Sequence, residues 1–79
     1  MTPEEAMREL DRWHEMTPEE QERWLKMALQ FSSLYFAGLL EGRRSDDLDA
    51  WLPVYREVVA RARATPGEIG EFARRWWSG

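Results

Sequence analysis

Apolar residues are spread unevenly along this chain. From Trp24 to Leu40 they form an almost unbroken run, WLKMALQFSSLYFAGLL, and elsewhere they recur three or four positions apart. Lys26, Gln30, Ser33 and Glu41 fall at helical spacing, with Ala37 between the last two. They form one narrow polar stripe on an otherwise apolar cylinder. At about 1.5 Å per residue the run is roughly 25 Å long, the width of a small domain. The pattern predicts a central helix against which the others pack.

The helix starts are more explicit than the periodicity. Thr2-Pro3-Glu4-Glu5 offers a threonine N-cap, a proline at the first helical position and a glutamate three residues after the cap. Thr17-Pro18-Glu19-Glu20 repeats the device, and Thr65-Pro66-Gly67-Glu68 repeats it again. Ser45-Asp46-Asp47 supplies a fourth start with two acids where the helix dipole favours them. Gly42 is a suitable left-handed stop for the long run, and Arg43 and Arg44 suit the negative helix end just before them. These signals predict an all-α, single-domain bundle of four helices over residues 1–79. The helices are expected at about 3–15, 18–41, 46–64 with a kink near Pro53, and 66–77. The inward faces are expected to hold Ala6, Met7, Leu10 and Trp13 in the first helix. The third contributes Leu48, Trp51, Leu52, Tyr55, Val58, Val59 and Ala62, and the last Ile69, Phe72, Ala73 and Trp76.

Composition excludes more than it names. The chain has 79 residues, no cysteine and one histidine, so disulfides, thiolate metal sites and zinc sites needing two imidazoles are excluded. A net charge of −4 argues against binding nucleic acid through phosphate contacts. The Trp24–Leu40 run is slightly short for a membrane span and carries Lys26 and Gln30. The Arg74-Arg75-Trp76-Trp77 segment is too short, in an acidic protein, to predict membrane binding. The acidic start, MTPEEAMREL, has no signal-peptide apolar core, which predicts a cytoplasmic protein.

The repeated Thr-Pro-Glu-Glu starts, the glycine stop, the short loops and the absence of cysteine resemble computationally designed helical mini-proteins. The resemblance covers the whole chain but is one of capping style, and what it implies is a sequence whose local choices all agree on one architecture. Pro53, Gly38, Gly70 and the Ser32-Ser33 pair depart from that style, and a natural bundle from a GC-rich genome has the same arginine bias. Ten of the eleven basic residues are arginine, leaving Lys26 as the only lysine.

The departures mark the candidate site. Ser32, Tyr35 and Gly38 lie in the most apolar helix, and Trp51, Tyr55 and Trp76 lie on helices expected to face it. A cleft bordered by these six, with hydroxyls to orient a ligand, fits how small-molecule sites are built. An enclosed cavity of about 300 Å³ would cost roughly 7 kcal/mol, comparable to the whole stability of such a domain. The expected site is therefore an open cleft for a small apolar or aromatic ligand, without catalysis and without a cofactor. The competing account is structural: glycine for close approach, and serines bonded back to the preceding turn.

A second class of function is binding a protein or peptide partner, including a second copy in a homodimer. Trp13, Met16, Trp24, Trp76 and Trp77 would be its anchors. A third class uses His14 as a haem ligand held by Asp11, or Lys26 as a nucleophile of lowered pKa. Against it, His14 suits a helix C-terminus, and Glu22 and Lys26 make an ordinary i,i+4 surface pair.

Overall fold

A computed structural model describes residues 1–43 and 46–76. It holds four α-helices: α1 (Pro3–Leu10), α2 (Pro18–Leu40), α3 (Asp46–Ala64) and α4 (Glu68–Trp76), with a 3₁₀ turn at Trp13–Glu15. Among the described residues there is no strand, and the all-α bundle is the fold. Arg44 and Ser45, read above as a helix-end cation and an N-cap, lie outside the described residues. So do Trp77, Ser78 and Gly79.

The first two starts fold as their sequence dictates. Thr2 Oγ1 accepts the Glu5 N–H at 3.2 Å, and Thr17 Oγ1 accepts the Glu20 N–H at 3.2 Å. Only this threonine half of the expected reciprocal cap is seen in each case. α2 ends as predicted: Gly42 adopts φ +73°, Arg43 N donates to Gly38 O at 2.8 Å and Gly42 N to Leu39 O at 3.1 Å. This left-handed closure satisfies two terminal carbonyls.

The third Thr-Pro start does not cap a helix. Thr65 Oγ1 instead donates back to Arg61 O at 2.8 Å and accepts the indole N–H of Trp13 at 2.8 Å. α4 begins at Glu68, two residues after the expected Pro66, because Gly67 takes φ +93°, a conformation outside any right-handed helix. α1 likewise stops at Leu10 rather than Glu15. A continued α-helix would aim the Trp13 carbonyl at the Thr17 N–H. In the tighter turn that carbonyl instead accepts Gln21 Nε2 at 2.9 Å. Trp13, 2% exposed, is thus tied at both its backbone and its ring to two other parts of the fold.

α3, not α2, is the hub: it touches α1, α2 and α4. Its buried side chains are mostly small, namely Val54, Val58, Val59 and Ala62, which allows neighbours to approach from several sides. It runs as one helix through the exposed Pro53, which leaves the Asp49 carbonyl without its i+4 donor. α2 buries only Gln21, Trp24, Leu25 and Ala28, all in its first half. The core joins these to Ala6, Leu10, Trp13, Tyr55, Ala62 and Ala73, and so collects at one end of α2. Met7 and Phe72, expected inside, are exposed, and on α4 Gly70 is buried instead. Apolar character alone could not tell α2's covered half from its bare half.

Candidate functional site

The residues expected to border a cleft are partly brought together. Tyr35, Tyr55 and Trp76 meet around Phe31, a residue the sequence reading left out. Phe31 stacks with Tyr35 at 5.7 Å between ring centroids and lies 5.4 Å from Tyr55, while Trp76 meets Tyr55 edge-on at 6.3 Å. Such ring pairs add roughly 0.5–1.5 kcal/mol each beyond the area they bury. Tyr35 Oη also reaches Asp49 Oδ1 at 3.5 Å, joining α2 to the start of α3. Burial pushes the Tyr55 phenol above its usual range, and a hydrogen bond with Ser32 pulls part of the way back. Trp51 is half-buried against the core edge. The space between the tyrosines is therefore filled by Phe31, and a ligand there would have to displace it.

Gly38 stands apart from this cluster. A Cβ on it would sit 3.3 Å from the Arg43 carbonyl, so its missing side chain makes room for the chain's own return after α2. Gly70 has the same local cause: a Cβ would lie 1.7 Å from the Thr65 carbonyl oxygen, inside the turn before α4. The Arg74 guanidinium braces this turn by donating to Arg63 O at 2.7 Å. Ser33 bonds back to Leu29 O at 3.3 Å, as a mid-helix serine commonly does.

The third class of candidates is dispersed over the surface. His14 is exposed, and Asp11, expected to orient its ring, lies 3.4 Å from Arg61 instead. Lys26 is solvated and pairs with Glu22 at 3.4 Å. No group of three or more His, Cys, Asp or Glu side chains suited to a metal ion occurs among the described residues. Among them, too, no helix is long and apolar enough to cross a membrane.

The feature the sequence reading missed is the bare second half of α2. Leu40 is 90% exposed, Leu34 65% and Phe36 52%, and Phe72 of α4 is 46% exposed. At 100° per residue, Leu29, Ser33, Phe36 and Leu40 share one strip of α2, and Met27 and Leu34 share another. Lys26, Gln30, Ala37 and Glu41 run between them, so Ser33, expected on the polar stripe, lies instead on the first apolar strip. Trp24, Ala28, Phe31 and Tyr35 form the strip that faces the core. Leu29 and Phe72, with Leu25 and Ile69, also line a shallow groove between α2 and α4, so the first strip continues onto α4. The sequence signal was present: a helix with apolar residues on three strips needs more neighbours than a chain this short provides. Of the proposed tryptophan anchors, Trp13 and Trp24 are core, Trp76 is half-buried, and Trp77 lies outside the described residues.

Comparison with known proteins returns no match: no family model fits the chain, and no curated protein or solved structure is significantly similar to it.

Proposed function

We propose that this protein is a non-enzymatic interaction module that presents the second half of α2, with Phe72 of α4, to a protein partner. One observation carries the reading: large apolar side chains at Phe36, Leu40 and Phe72 are left to solvent and take no part in the core cluster. Contiguous apolar surface on a monomer is costly in solubility and marks interaction sites. Leucine and phenylalanine on a rigid helix also lose little conformational entropy on docking. The small-ligand reading is less well supported, because Phe31 already occupies the space between Tyr35 and Tyr55.

The test separates binding surface from folding surface. Phe36→Lys with Leu40→Lys, studied at low micromolar concentration, should retain helical circular dichroism. Its unfolding free energy should stay within about 0.5 kcal/mol of the parent, as for other surface changes. The same variant should lose most of the binding of an apolar fluorescent dye such as anilinonaphthalene sulfonate. A loss of stability above about 2 kcal/mol would show that these side chains serve the core, and the reading would fall.

A further inference from the structure

The bare strip has a self-complementary arrangement. Along α2, Leu29, Ser33, Phe36 and Leu40 follow a 4-3-4 spacing, the seam along which two helices pack. Ser33 is the smallest of the four, and its hydroxyl is turned back onto Leu29 O. The charges flanking the seam come as two ion pairs: Glu22–Lys26 at 3.4 Å on one side of Ser33 and Glu41–Arg43 at 3.5 Å on the other. Their side chains are between 58% and 83% exposed, so they can regroup without losing buried partners.

We propose that the partner is a second copy of this chain, its α2 running antiparallel to the first about a two-fold axis at Ser33. This rests on the interaction surface proposed above. Reversing the helix about Ser33 brings Lys26 of one copy to the level of Glu41 at the end of the other helix. A parallel pairing would set Lys26 against Lys26 and Glu22 against Glu22, placing like charges together. The same reversal carries Phe72, which sits beside Leu29 in its own copy, alongside the Phe36–Leu40 end of the other. The exposed Phe36 and Leu40 of α2 and Phe72 of α4 therefore cover one another. An isologous interface of this kind closes at two copies.

The exposed area agrees with one missing neighbour. The chain exposes 5784 Å². A 9.4 kDa monomer is expected to expose about 5000 Å². The fold thus leaves more surface uncovered than a compact monomer of its mass does. The fold is also thin, 37 × 27 × 17 Å, as half of a thicker assembly would be.

Sedimentation equilibrium of the full chain from about 1 to 300 µM is the test. The expected result is a monomer–dimer equilibrium with no larger species. Phe36→Glu with Leu40→Glu should give monomer throughout, while Leu34→Glu, on the other strip, should leave the equilibrium unchanged. Lys26→Glu should weaken the dimer roughly fivefold or more, since two symmetry-related pairs are lost, and adding Glu41→Lys to that chain should restore most of it. Dissociation by Leu34→Glu, failure of the charge swap to rescue, or assembly beyond two copies would each overturn the arrangement. A monomer at every concentration, whose dye binding is still abolished by Phe36→Lys with Leu40→Lys, would overturn self-association alone. The surface reading would survive that result and fall only if those lysines unfold the chain.

Discussion

Replacing Thr65 with valine tests whether this residue is a latch rather than a helix cap. The side chains are nearly the same shape, so the change removes one hydroxyl and little volume. In the native chain that hydroxyl accepts the Trp13 indole N–H and donates to the Arg61 carbonyl, both at 2.8 Å. Trp13 is buried, so its N–H loses its acceptor and cannot turn to water. Leaving a buried donor unsatisfied costs about 1–3 kcal/mol. The Arg61 carbonyl lies in the last turn of α3 and loses a partner that water can partly replace. A total near 2 kcal/mol is expected, and in a domain this size each kcal/mol lowers the midpoint by about 4–8 °C. Thermal unfolding followed by circular dichroism should therefore show a drop of roughly 8–16 °C. Thr65→Asp sharpens the comparison, because aspartate is at least as good an N-cap as threonine. A carboxylate can still accept the Trp13 indole N–H but cannot donate to the Arg61 carbonyl, so it loses only that half of the latch. A midpoint within about 2 °C of the parent for Thr65→Val would refute the reasoning.

Other expectations rest on single features of the fold. Gly70→Ala places a methyl 1.7 Å from the Thr65 carbonyl, a contact that only backbone movement can relieve. It should cost more than about 3 kcal/mol, visible as loss of cooperative urea unfolding. Pro53→Ala restores an N–H opposite the Asp49 carbonyl on an exposed face, and the midpoint should rise, by up to about 3 kcal/mol of added stability. The pH dependence follows from Tyr55, whose phenol pKa is raised on folding by burial. The folded chain then holds its proton more tightly than the unfolded one, so this contribution is fully present below pH 10. It is lost as pH climbs from there through the folded value. Tyr55→Phe should flatten that alkaline loss, measured as midpoint against pH between about 9 and 12.

The four helices were legible because capping is local chemistry: Thr2 and Thr17 need only their own next three residues to act. Thr65 carries the same motif but has Gly67 two residues on, and a distant indole competes for its hydroxyl. Nothing within reach of a local reading shows Trp13. The grouping of Tyr35, Tyr55 and Trp76 could be read from helical spacing, yet Phe31 between them was missed for being neither polar nor special. From the sequence, Gly38 is expected to open a ligand cleft or else to let a helix approach closely, and Gly70 stands only as a departure from an idealised bundle. Both are explained by the chain turning back on itself within five residues, which a face-by-face reading does not see. The length of an apolar run does not make its helix central. α3 is the hub because its small residues accept neighbours on several sides, whereas the run in α2 outlasts its neighbours.

Because the core collects at one end of α2, resistance to opening should be graded along that helix. Amide protons from Leu25 to Ala28 sit among Trp24, Val58 and Val59 and should exchange with deuterium only when the whole chain unfolds. Those from Phe36 to Leu40 are held by helix bonds over little packed matter, and fraying from the Gly42 end should release them many times faster. One continuous helix would thus carry a protected half and a labile half.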